Sequence, residues 1–407
     1  MNTLDTQLFL TLLEPNKGAR AAEKLVVNRL PAWQEILSTA RRHCVIPLIS
    51  EGLKKAKIST PSGLAQFLKR FERSNTFANF RAAAALHKIL EAMSAHDIRA
   101  YPYKGPYLAS LAYGDLSQRV FGDLDLIVPP NQVMEASKVL QELGFEPCFP
   151  WVSPKPFLSL HYEYRFKNRH SAQVLELKWR TSPARFGAWG ELGEDWKWST
   201  PPELQGLRCF GPELEELFVI LVIHGTKHLW SRLQWLCDLG RLLDSKALRW
   251  DQILVHAEKR QATRALALAA KLLENNLRAA LPSELNFETP ELSTVAARIQ
   301  QSWFETGGIP NEEARVLLLR LTDSKRLGTV YTLRAILSPG PSEILAVPFE
   351  LPWHGLYYLV RPIRYLAKWL GLDILQDPRE TPNASISEKA ACSTAHESQL
   401  SPSSDPN

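Results

Sequence analysis

The chain predicts an α+β fold, and three observations predict it. Apolar side chains recur at helical spacing up to about Asp97, they do so again beyond Pro212, and between these blocks the period shortens to that of strands. The expectation is a small mixed sheet with flanking helices, embraced by N-terminal helices and a C-terminal helical region. Boundaries follow the pattern: residues 1–95 helical, 96–211 the sheet-bearing core, 212–375 helical, and 376–407 a disordered tail of prolines, serines and charges without periodicity.

Taken in order, residues 31–42 put apolar side chains on one helical face, and Val45-Ile-Pro-Leu-Ile begins another helix. A long helical pattern follows over 63–93, where Phe67, Phe71, Phe77 and Phe80 are expected to be buried. Residues 98–103 read as a strand that runs into Lys104-Gly105-Pro106. Pro106 suits the first helical position and Gly114 a helix stop, which gives a short helix through Ala112. The run Asp123-Leu-Asp-Leu-Ile-Val is a strand whose pairing stops at Pro129. Asn131 is expected to cap a helix that reaches Leu143 and stops at Gly144, with residues 145–149 returning as a strand. Residues 162–167 and 173–179, joined by the polar turn 168–171, form a hairpin. Helices are expected at 213–224 running into 225–239, then at 260–281, 291–303, 312–321 and 329–337, with a break at Pro339-Gly-Pro.

A chain of 407 residues with 45% hydrophobic and 22% charged side chains is an ordinary globular protein with room for two or three domains. Its formal charge of +5 favours anionic substrates but is too weak to argue nucleic-acid binding. Five cysteines, odd in number and without metal-ligand spacing, imply reduced thiols in a cytoplasmic setting. Residues 1–13 have no basic segment or cleavage site, and no apolar run reaches the roughly 20 residues needed to cross a bilayer, so no stable membrane insertion is expected.

The chemistry-bearing stretch is 103–130. Side chains alternate across a strand, so Asp123 and Asp125 share one face while Leu124 and Leu126 take the other. Two such carboxylates suit a hard cation, Mg²⁺ or Mn²⁺, that keeps open positions for water and substrate phosphates. Upstream, Gly105 allows close approach of a phosphate, the helix start offers N–H groups, and Lys104 adds positive charge. Sugar-nucleotide enzymes also use an Asp-x-Asp pair, but they place an α/β half before it where this chain places helices.

In the hairpin, Glu176 shares a face with Val174 and Lys178, opposite Leu175 and Leu177. It is either a third carboxylate of the centre or the partner of Lys178 or Arg165. Arg119 can fork onto a phosphate or pair with Asp115 or Glu135. His224 and His228 lie one turn apart on a helix, if that helix is unbroken, and with Lys227 they are candidate nucleotide-binding residues. No Glu follows His224, which excludes a zinc-protease motif. Trp230, Arg232, Trp235 and Asp238 either wall a base or pack around one buried polar network.

The order Lys-Gly, short helix, tyrosine, arginine and Gly-Asp-Leu-Asp-Leu-Ile-Val resembles the uncharacterised nucleotidyltransferase family, a branch of the DNA polymerase beta-like superfamily. The superfamily usually carries Gly-Ser where this chain has Lys104-Gly105, then Asp-x-Asp and a third carboxylate on a later strand. The resemblance implies a nucleotidyltransferase core in which Asp123, Asp125 and Glu176 hold one or two Mg²⁺ (or Mn²⁺) ions and Lys104 with Gly105 holds the triphosphate. It implies a nucleoside triphosphate as donor and an unidentified acceptor: a small molecule, a protein or an RNA end. The family commonly has a histidine two residues after the third carboxylate, where this chain has Lys178. Its closing Tyr-x-x-x-Arg-Pro pattern is matched at Tyr357 to Pro362, which implies a packed closing helix, whereas the apolar, aromatic and basic mixture alone would also suit a membrane surface. A catalytically silent member serving as a binding or regulatory protein is the alternative.

Overall fold

Seven strands lie among the described residues, and all of them fall between residues 96 and 211. The computed structural model describes residues 1–337, except 15–17, 28, 149–156, 160, 172, 205, 283–284 and 286–288, together with 356–369. Two compact units alternate along the chain: the first takes 1–91, 103–120 and 193–328, the second 92–102, 121–192 and the described residues from 329 onward.

The second unit carries the sheet. Its strands are β1 (Tyr101–Pro102), β2 (Asp123–Ile127), β3 (Phe145–Pro147), β4 (Glu163–Asn168) and β5 (Val174–Lys178), in the order β1-β2-β5-β4-β3. Only β2 and β5 run parallel; β1 on β2, β4 on β5 and β3 on β4 are antiparallel, so the sheet is mixed as expected. One face is apolar: Leu124, Leu126, Tyr164, Phe166, Leu175 and Leu177 are all buried. Each such side chain contributes about 1.5–3 kcal/mol through area withdrawn from water. The register therefore cannot slip by one residue without exposing this set, and the opposite face is fixed as the charged one. Helix Val133–Glu142 buries Val133, Ala136, Val139 and Leu140 and ends at Gly144, whose φ of 83° an L side chain rarely adopts.

The first unit is helical around Leu214–Lys227, a helix buried continuously from Glu215 to Ile223. Neighbouring helices Leu233–Ser245, Trp250–Lys259 and Thr263–Leu277 pack on it. Glu215 and Glu216 enter this interior paired, Glu215 with Arg249 at 3.0 Å and Glu216 with the buried Arg260. At the chain start, Asn2 accepts a hydrogen bond from the Asp5 N–H at 2.8 Å and so caps helix Thr3–Leu12.

The structure differs from expectation in four places. Helix Ser62–Ala95 buries a stripe of Leu64, Leu68, Phe71, Asn75, Asn79, Ala82 and Leu86, and Phe77 and Phe80, expected inside, are 65% and 60% exposed because they fall off it. Two asparagines take that stripe because backbone carbonyls need donors there: Asn79 donates to Leu116 and Arg119, Asn75 to Ser117 and Arg119. Asn131 lies in a 3-10 turn, Pro130–Gln132, ahead of the helix it was expected to cap. A second small sheet, β6 (Lys197–Ser199) with β7 (Cys209–Gly211), was not expected, since three residues are too few for alternation to be read. Helix Tyr357–Trp369 leaves Tyr358, Leu359, Ile363 and Leu366 exposed, unlike a packed closing helix.

No helix among the described residues is long and apolar enough to cross a membrane. Cys44, Cys148, Cys209 and Cys237 are free thiols. The break at Pro339, the tail from 376, Cys392 and the end of the strand expected at Phe149 lie outside the described residues.

Candidate functional site

In the second unit, parallel pairing sets Asp125 directly beside Glu176 and Asp123 beside Val174. The antiparallel neighbour β4 adds Arg165 opposite Glu176 and Glu163 opposite Lys178. Side chains on one face of adjacent strands touch, so five charged groups converge. Asp125 is 5%, Glu176 8% and Lys178 3% exposed, which makes this an interior charge cluster and not a solvated strand face. The Lys178 ammonium donates to Glu163 Oε2 at 2.6 Å and to Glu176 Oε2, and stands 3.3 Å from Asp125 Oδ1. Arg165 Nε donates to the other Glu176 oxygen at 2.9 Å. Burial, followed by the charge of Glu163, pushes the Tyr162 phenol well above its ordinary value.

The sequence reading thus brought together the right strands for Asp125 and Glu176, and Glu176 pairs with both of the cations named for it. Glu163 was missed. The signal was present, because the hairpin register places it across from Lys178 on the charged face. Among the described residues no three His, Cys, Asp or Glu side chains come together as a group that could hold a metal ion. What the donor set does suit is Mg²⁺ on one or two carboxylates, completed by water and substrate phosphates. Asp123 and Asp125 lie two residues apart on β2, and strand alternation puts them on one face.

In the first unit, helix Gly105–Tyr113 begins with Gly105 at φ 57° and Pro106 in its first turn, and Gly114 ends it at φ 68°. Lys104 is the residue before the helix, its ammonium 4.7 Å from the Tyr103 ring centre. Arg119 forms the ion pair that was one of its two expected roles, but with Asp238 and not with Asp115 or Glu135. Its Nε and Nη2 donate to the two Asp238 oxygens at 2.9 and 3.0 Å, and Tyr113 donates to Asp238 at 2.8 Å. Asp115 instead accepts from the Ser117 N–H at 2.8 Å. Burial and the Asp238 charge push the Tyr113 phenol well above its ordinary value.

Helix Leu214–Lys227 stops where His228 follows, because Leu229 and Trp230 turn at φ 47° and 50°. His224 and His228 nevertheless stay together, ring centres 5.0 Å apart, and both flank Trp235 at 4.9 and 5.3 Å. Arg232 lies 5.8 Å from the Trp235 ring centre. Lys227 is the last residue of the helix. Trp230 is fully buried, so it is core and not a base-facing wall. Gly225 packs against it: a Cβ there would lie 2.6 Å from the Trp230 ring carbons. Gly225→Ala is accordingly expected to cost about 1–3 kcal/mol by overpacking, measured as a lowered urea midpoint with an unchanged slope.

A family model described as an uncharacterised nucleotidyltransferase matches residues 30–278, more than half of the chain, and the closing pattern at Tyr357 to Pro362 lies beyond that match. No curated protein and no solved structure matches.

Proposed function

Since the chain belongs to the uncharacterised nucleotidyltransferase family, we propose that it moves a nucleoside monophosphate from a nucleoside triphosphate to an acceptor nucleophile at the acidic centre of the second unit. The observation that carries this reading is the pairing of Asp125 with Glu176 on adjacent parallel strands, with Asp123 on the same face. In the reaction an acceptor oxygen bonds to the α-phosphorus, the bond to pyrophosphate breaks, and the acceptor proton leaves to a base or to water. Mg²⁺ or Mn²⁺ would be held by Asp123 and Asp125 and, when bound, offsets charge that develops on the phosphates.

Glu176 enters as the third carboxylate, but with one oxygen accepting from Arg165 and the other from Lys178 it acts through those cations. In the first unit, Lys104 and the Gly105 amide form a phosphate-binding turn in their own right. His224, His228, Trp235 and Arg232 form an aromatic and cationic cluster of the kind on which a base stacks. Arg119 drops out of the phosphate contacts, because its fork is spent on Asp238.

A catalytically silent family member is the second reading, favoured by the Lys178 ammonium within the acidic centre. Incubation with the four labelled triphosphates, Mg²⁺ and cell extract separates the two. The wild type is expected to incorporate label, and Asp123→Ala and Asp125→Ala each to lower incorporation by roughly 10²-fold. Label transfer that survives both substitutions removes this centre as its cause; no transfer and no nucleotide binding by the wild type favours the silent protein.

A further inference from the structure

We propose that Lys178 is the resident cation of the acidic centre: an ammonium built into the chain that fills the place of a second divalent ion, so that the centre accepts one such ion and not two. The proposal deepens the nucleotidyltransferase reading and rests on it for the identity of the centre, although the binding it describes can be measured without any reaction.

Lys178 is the last residue of β5, on the face it shares with Glu176. It stands across from Glu163 on one side and beside Ile127 of β2 on the other. From there its ammonium reaches one carboxylate on each of three strands: Asp125 of β2, Glu163 of β4 and Glu176 of β5. Tyr162 adds its ring at 5.8 Å. The ammonium donates to Glu163 and Glu176, and its charge stands 3.3 Å from Asp125 Oδ1.

Carboxylates brought this close repel one another in a low-dielectric interior, and a cation among them offsets that repulsion. A divalent ion would do the same work, at about 2.0–2.1 Å from each oxygen. It cannot do so while the ammonium is there, because Asp125 Oδ1 and Glu163 Oε2 already lie 3.3 and 2.6 Å from the nitrogen. Ammonium and ion would have to occupy nearly the same volume, so each excludes the other. Arg165 closes the remaining oxygen of Glu176 at 2.8 Å. Asp123 lies two residues before Asp125, at the opposite end of β2 from the position beside Lys178, and in the nucleotidyltransferase reading these two take the single ion together with substrate phosphates.

The experiment counts bound Mn²⁺ by electron paramagnetic resonance on the full chain, with Asp125→Asn marking which ions belong to the centre. Lys178→Met is expected to bind one more Mn²⁺ than the wild type and to bind it at least tenfold more tightly, whereas Lys178→Arg, which keeps a cation, stays at the wild-type count. A folded Lys178→Met with the count and affinity of the wild type overturns the proposal. Should Lys178→Met fail to fold, the wild type decides: one Asp125-dependent Mn²⁺ ion per chain supports the proposal, and two or none overturn it. The functional reading fails elsewhere, in the labelled-triphosphate assay. Absent transfer with a Lys178-dependent Mn²⁺ count would remove the transferase and leave the resident cation.

Discussion

Asp238→Ala is expected to lower the unfolding free energy by about 3–5 kcal/mol, the range for one partner removed from a buried ion pair. Arg119 and Asp238 are 4% and 3% exposed at the side chain and meet through two hydrogen bonds, with Tyr113 as a third member. Taking away the carboxylate removes the buried acceptor of two guanidinium donors and of the Tyr113 hydroxyl. Most of the loss is the cost of keeping those buried donors and their charge without this acceptor, and not the worth of the pair itself. Arg119→Met with Asp238→Leu, which removes both charges at similar volume, is therefore expected to recover a large part of the stability. Urea unfolding of wild type, single and double variants measures it, and a single-variant loss under about 1 kcal/mol would falsify the account of the network.

Acidification should destabilise the first unit through His43. Its Nδ1 accepts from the Leu233 N–H at 3.3 Å, which leaves the proton on Nε2 to donate to the Trp303 carbonyl at 2.8 Å. The neutral ring is the form that satisfies both, and burial, the main cause, lowers its pKa from 6.5 to about 4. An unfolded His43 takes up a proton near pH 6.5 while the folded one does not, so the unfolded state binds more protons between these values. Stability from this group is thus fully present above pH 6.5 and lost as pH falls through about 4, by roughly 3 kcal/mol in all. Unfolding free energies at intervals from pH 7 to pH 4 are expected to show a slope that His43→Asn reduces by about one proton. An identical slope in the variant would place the acid sensitivity elsewhere.

Legibility differed from residue to residue for physical reasons. Asp123 and Asp125 could be assigned to one face because strand alternation is a local rule, and Pro129 marked the strand end for the same reason. The turn at Lys104, Gly105 and Pro106 was likewise local, as was the stop at Gly114. The partner of Arg119 was not. Asp238 lies 119 residues away, and nothing near either residue distinguishes that pairing from the nearer Asp115 or Glu135. Phe77 and Phe80 show the limit of composition: aromatic content suggested burial, but the position of each on a 34-residue helix decided otherwise.

By itself, then, the amino-acid order determined the class of fold, the alternation that puts acids on one sheet face, and the family resemblance that the match over residues 30–278 bears out. Tertiary structure alone decided that Lys178 stands among three acids and that Arg119 is committed to Asp238. The division follows from range. Periodicity and turn chemistry act within a few residues of chain, whereas the energy of a buried charge depends on groups that only strand register and helix packing bring within about 3 Å.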